Sequence, residues 1–320
     1  MFYIKKEKLK LIIICFLLSI IHIFPYIFVD NLTGDVGRYQ KDYRIFSINP
    51  AGIWPEFGIE SGFYWLGYVL SKISFTFHLY LFFIAFFFYY YSSVLIVKEL
   101  RFRKNYIIIY VLMIFIYPLY FAYDSFLNVV LRQAIVVIIF WKFYFPVYDR
   151  SLKSCILIVG FACFFHLSAI MYFFIYYLLR TIKKDIYYVL LFLLSLFLYV
   201  FEIPLYFAEF IRTSLQSIFF FKSDLAIFSF KEHVKLGFSL LKFMVIVLPF
   251  LGYLLVYKSR SLLGKDMIKV WNIYFFISSL GMLMSGLAYH DRIMLYAWSW
   301  IPLLSLPFLE SMYNSFRRNL

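Results

Sequence analysis

The chain has 320 residues, 64% hydrophobic and 25% aromatic, with a mean hydropathy of +0.85 and a formal net charge of +14. A soluble domain is about half apolar, so this composition excludes a soluble globular protein, and spans of ~20 residues each leave no space for a separate soluble domain. The positive charge does not mark a nucleic-acid binder, which would gather Lys and Arg on one soluble face; here they lie in short loops between apolar runs, the distribution that sets membrane orientation.

The first apolar run, 9–29, follows "KKEKLK". It is too long for a signal-peptide core and no small-residue cleavage site follows it, so it reads as a retained span with a cytoplasmic N-terminus. Further runs fall at 75–97, 106–122, 127–147, 154–179, 186–206, 236–257, 270–288 and 293–311. The basic stretches "VKELRFRKN" (97–105) and "YDRSLK" (148–153) then face inward, as the positive-inside rule requires. If 154–179 were one span, "RTIKKD" (180–185) and "YKSRSLLGKDMIK" (257–269) would face outward against that rule. Two short spans meeting near His166 return both stretches, and the terminal "RRNL", to the cytoplasm. The reading is therefore an all-α polytopic membrane protein of about ten transmembrane helices. It forms a single integral membrane domain over 1–320 with both termini inside and outer loops near 30–74 and 207–235. The 207–235 segment reads as an amphipathic surface stretch. Cys15, Cys155 and Cys163 lie within apolar runs without metal-ligand spacing and read as core residues.

This topology gathers the polar residues of chemical interest at the outer side. Asp35, in "TGDVGRYQKDY", is placed either to act as a base toward a hydroxyl or to cap the turn after Gly34. Arg132 opens an apolar run, with Asn128 before it on the same helical face (i, i+4) and Gln133 after it, which makes a polar stripe. A guanidinium there either snorkels to headgroups or holds a phosphate bidentately. His166 stands where the topology demands a turn, as a titratable imidazole or a core histidine. Arg292 heads the last run with Asp291 beside it, as an ion pair or a second phosphate ligand. Glu60 precedes the aromatic stretch "SGFYWLGY", which suits an interfacial belt or stacking on sugar faces. A DxD pair, a Walker A loop, a GxSxG elbow and an HExxH helix are all missing. The expectation is therefore chemistry without a metal, a nucleotide or another cofactor.

The ordered set "GDVGRY", "ESGFYWL", "NVVLRQA", "FFHLSA" and "DRIMLY" resembles the EpsG family, a group of Wzy-like polysaccharide polymerases, from residue 34 to 296. The resemblance implies a metal-independent glycosyltransferase of the multi-span GT-C type in the bacterial inner membrane. It would transfer a growing glycan from undecaprenyl pyrophosphate to a new lipid-linked repeat unit at the periplasmic face, building O-antigen or a related surface polysaccharide. It assigns Arg132 and Arg292 to the pyrophosphate leaving group, and His166 or Asp35 to the proton of the attacking hydroxyl. Tyr39, Arg38, Glu60, Asn128, Gln133 and Asp291 would bind substrate. The implied partners are undecaprenyl-pyrophosphate-linked oligosaccharides, the bilayer and a chain-length regulator, with no nucleic acid. The alternatives are a flippase for the same lipid, which would bury charges in several spans and carry internal repeats, and an O-antigen ligase, which carries a larger late outer loop.

Overall fold

The computed structural model describes residues 2–30, 32–100, 121–143, 151–218, 236–257, 265–287 and 290–307. Among them every regular element is helical. The chain divides into two compact units, residues 1–177 and 178–320.

In the first unit, α1 (Phe2–Ile27) lies along α5 (Phe77–Leu100). Pro25 is accommodated near the end of α1. On α5, aromatic residues recur every four positions, so Phe82, Phe86 and Tyr90 stack down one stripe, while on the next Phe83 meets Phe87 edge-on and Phe87 stacks on Tyr91. Between them α2 (Gly34–Ile48), α3 (Ile53–Phe57) and α4 (Gly62–Ser71) fold the 30–74 segment into short helices rather than an extended loop. Gly34 enters α2 at φ +65°, a left-handed conformation that favours glycine.

Next come α6 (Phe121–Asn128) and α7 (Leu131–Phe143), which meet at a 119° bend over Val129–Val130. The expected continuous helix through Asn128, Arg132 and Gln133 is therefore broken, and the three do not share a helical face. The expected break at His166 is present: α8 (Leu152–Cys163) stops and a single 3₁₀ turn, Leu167–Ala169, leads into α9 (Ile170–Thr181).

In the second unit, α10 (Asp185–Val200) turns by 72° into α11 (Ile203–Ile218), so the 207–235 segment begins within a helix. Glu202 makes that turn at φ +55°. The unit continues with α12 (Leu240–Tyr257), α13 (Lys265–Leu283), α14 (His290–Trp298) and α15 (Ile301–Leu304). Its core forms where α13 packs on α10 and α14, around Trp271, Tyr274 and Phe275, all nearly inaccessible.

Among the described residues, three helices are long and apolar enough to cross a membrane: Leu9–Ile27, Phe77–Ile96 and Leu240–Tyr257. Counting each bent pair as one span raises this to five, while 152–163, 167–181 and 267–283 are apolar but shorter. The chain is thus an all-helical membrane protein. Most of the 106–122 run, the basic residues 101–104, Arg150, 219–235 and the terminal "RRNL" lie outside the described residues.

Candidate functional site

In the first unit, two interrupted helices and one tight turn bring together residues far apart in sequence. The turn is the 3₁₀ segment Gly58–Ser61, which carries Glu60. It docks on the α8–α9 break through the Gly62 N–H, which donates to the Phe164 carbonyl at 2.8 Å. A Cβ on Gly62 would come within 2.4 Å of the Phe164 ring and 2.7 Å of its carbonyl oxygen, so only glycine permits this approach.

Glu60 is the hub. Its Oε2 lies 3.2 Å from Nη1 of Arg132, which stands in the first turn of α7 just past the 119° bend. Its Oε1 accepts the Leu167 backbone N–H at 2.6 Å and lies 3.6 Å from Nδ1 of His166. The three side chains are 17–22% exposed, mostly shielded but reachable. His166 caps the following turn: its Nδ1 accepts the Ser168 N–H at 3.1 Å and lies 2.8 Å from the Ser168 hydroxyl. A neutral imidazole that accepts at Nδ1 carries its proton on Nε2. In this tautomer Nε2 offers a donor, while the basic lone pair on Nδ1 is taken up by the Ser168 N–H. Arg132 retains a buried Nε–H with no acceptor among the described residues, and beside it the buried Gln133 Oε1 also lacks a partner there. A guanidinium anchored at one nitrogen with a second donor unsatisfied is arranged to receive an anion.

A carboxylate adjoins this cluster. The Tyr64 hydroxyl donates to Asp42 Oδ2 at 3.3 Å. Burial raises the Asp42 pKa above the usual carboxylate value, while Tyr64 and the charges of Arg38 and Arg132 pull the other way. Asp35 stands in the first turn of α2, where it pairs with the half-exposed Arg38 at 3.1 Å. The Arg38 guanidinium lies 5.2 Å from the centroid of Tyr39, itself buried against Phe63. Asn128 is turned to another partner, donating to Asp124. The structure therefore brings together Arg132, Glu60 and His166 from the sequence-derived set, with Asp42 and Tyr64 paired nearby.

In the second unit, Lys242 in the first turn of α12 bonds to Asp291 at the start of α14. His290 is fully buried: its Nδ1 lies 3.1 Å from the Leu287 carbonyl and its Nε2 2.9 Å from Asp291. Burial opposes the Asp291 charge, but His290 and Lys242 outweigh it and hold its pKa at about 2. Arg292 is the next residue of that first helical turn. Lys242 did not emerge from the sequence, although a lone cation in the apolar run 236–257 was the signal for it. Among the described residues, no three or more His, Cys, Asp or Glu side chains are grouped as metal ligands.

Neither a curated protein nor a solved structure matches the chain. The model of the EpsG family matches residues 10–320, nearly the whole length. That family includes Wzy-like polymerases, and the chain belongs to the EpsG family.

Proposed function

We propose that this protein polymerises lipid-linked oligosaccharide repeat units of O-antigen or a related surface polysaccharide. It transfers the growing glycan from undecaprenyl pyrophosphate to a new lipid-linked unit at the periplasmic face of the bacterial inner membrane. The observation that carries the reading is Arg132, anchored by Glu60 at 3.2 Å and holding a buried donor without an acceptor among the described residues. The bond from the donor sugar's anomeric carbon to the diphosphate oxygen breaks as an acceptor hydroxyl oxygen bonds to that carbon. The electron pair leaves on the diphosphate, where the Arg132 guanidinium meets it. Donors fixed in a water-poor site favour such developing charge, and losing one typically costs ~3–4 kcal/mol of barrier.

The acceptor's proton goes to Asp42. Burial raises the affinity of this carboxylate for a proton, and a base works best when its pKa approaches the working pH. Asp35 is engaged by Arg38, and His166 in its Nε2–H form donates to substrate oxygens. The architecture that suits this role is the GT-C-like arrangement of about ten spans with both termini cytoplasmic. The reaction runs without a metal, and a chain-length regulator is its expected protein partner.

The test is turnover by purified protein of a synthetic undecaprenyl-diphosphate repeat unit, read as a ladder on a gel. Wild type builds the ladder with or without chelator, whereas Arg132→Ala and Asp42→Asn each reduce the rate about a hundredfold or more. A folded wild-type protein that leaves the repeat unit unpolymerised overturns the reading.

A further inference from the structure

The C-terminal half of α2 is tied to both of the long helices that flank it. The Tyr43 hydroxyl donates to the Phe75 carbonyl at 2.6 Å, two residues before α5 begins. Arg44, the next residue, donates to the Asp30 carbonyl at 2.7 Å, three residues past the end of α1. Lys72, at the end of α4, reaches back to the Ser47 carbonyl at 3.4 Å. Residues 9–27 of α1 and 77–96 of α5 are both long and apolar enough to cross a membrane. This end of α2 therefore lies at the level where two crossing helices leave the bilayer.

At that level α2 presents an exposed face. Lys41, Arg44, Ile45 and Ile48, spaced i, i+3, i+4 and i+7, share it, while Val36, Tyr39, Gln40 and Phe46 are buried on the other side. Ile45 is 48% exposed and Ile48 83%, and Ile73, next to Lys72, is 64% exposed. Each isoleucine of α2 stands four residues, or ~6 Å of helix, beyond a cation: Ile45 beyond Lys41, and Ile48 beyond Arg44.

We propose that this face is a lipid-surface anchor. The isoleucines lie among the acyl chains at the bilayer boundary, and Lys41, Arg44 and Lys72 bind the phosphates of anionic phospholipid. Aliphatic side chains left in water cost free energy that an acyl environment relieves, and a helix with cations just above an apolar end settles at that depth. Anionic headgroups attract each cation near the surface. A guanidinium carries five N–H donors, so the bond to Asp30 leaves Arg44 able to take a phosphate. A second copy of the chain is the competing occupant, and charge opposes it. A twofold contact through this face would set three cations against the same three, and Asp42, between Lys41 and Arg44 in sequence, is engaged by Tyr64. Neither the lipid contact nor its depth depends on the reaction the protein performs. Because α2 also carries Asp42, the anchor sets the height of that carboxylate relative to the bilayer.

The test uses the whole protein in nanodiscs of phosphatidylcholine and phosphatidylglycerol and has two readouts. For depth, a nitroxide is placed at Ile48→Cys with Cys163→Ser, Cys15 and Cys155 being buried. It is expected to collide with oxygen more than with a water-soluble nickel chelate. For the headgroup, phosphatidylglycerol bearing a diazirine in its polar head is photolysed and the labelled peptides are mapped. Labels are expected on 41–48 and 69–74, removed by excess phosphatidylglycerol and not by excess phosphatidylcholine. At about fivefold per cation, the combined Lys41→Gln, Arg44→Gln and Lys72→Gln variant is expected to lose labelling there at least tenfold. The charge-keeping Lys41→Arg, Arg44→Lys and Lys72→Arg variant stays within about twofold of wild type, which separates charge from folding. A nitroxide more open to nickel than to oxygen overturns the proposal, and so does one closed to both, the sign of a protein partner. Equal displacement by phosphatidylcholine, or undiminished labelling of the glutamine variant, overturns it as well.

Discussion

Glu60 holds the first-unit site together through one carboxylate. It anchors Arg132 with one oxygen and the Leu167 N–H with the other, so neutralising it loosens both helical breaks at once. Glu60→Gln, with the same volume and half the acceptor capacity, is expected to cost about 1–3 kcal/mol in kcat/KM. Glu60→Asp is expected to recover part of that loss, which a purely space-filling role would not allow; steady-state kinetics on matched preparations decide it. At the second cluster the sign follows from the depressed Asp291 pKa of about 2 against an ordinary 3.8. A carboxylate held below its unfolded value adds stability that is complete above pH ~4 and fades as pH falls from there toward 2. Asp291 is 45% exposed, so solvent screening keeps the contribution small. Asp291→Asn should therefore melt below wild type at pH 7, and the gap between the two melting curves should narrow at pH 3.

Helix interruptions do most of the positioning at the level of elements. The α8–α9 break was legible, because the charges at 180–185 and 257–269 could face inward only if the chain turned at His166. The 119° bend at Val129–Val130 was not, because two valines in an apolar run carry no stop signal. The Asn128–Arg132 stripe expected from a straight helix fails for that reason. Nor does any local pattern announce that Glu60 meets Leu167, a pairing across 107 residues. It depends on Gly62, whose neighbour Phe164 leaves no space for a methyl group. Gly62→Ala is expected to destabilise by about 1–3 kcal/mol through overpacking and to lower activity about as much as Glu60→Gln, because the turn then stands off from the break. Thermal melts and turnover of the same preparation read both effects.

For the molecule as a whole, composition was enough to establish an all-helical membrane protein, since backbone groups in lipid must be satisfied within each segment. Span number was harder to read, because hydropathy measures apolar length and not where a helix bends: of the runs found, only three become single helices of crossing length among the described residues. The proposed topology predicts that reporters fused after residues 151, 183, 259 and 320 are active only in the cytoplasm, and those after 45 and 225 only outside. A C-terminal fusion active outside would remove the ten-span arrangement while leaving the Glu60 cluster untouched. The catalytic proposal and the topology are therefore separately testable.

For the diphosphate proposed to meet Arg132, the resident carboxylate of Glu60 makes binding an exchange. An incoming anion gains a guanidinium only by displacing or sharing Glu60, so its net affinity is the difference between two charge-assisted bonds. A carboxylate or a singly bridging phosphate gains little from that trade, whereas a diphosphate brings further oxygens to the unsatisfied Nε–H. The internal competitor thus acts as a valence filter: it discriminates against the many monoanions of a membrane surface in favour of a diphosphate.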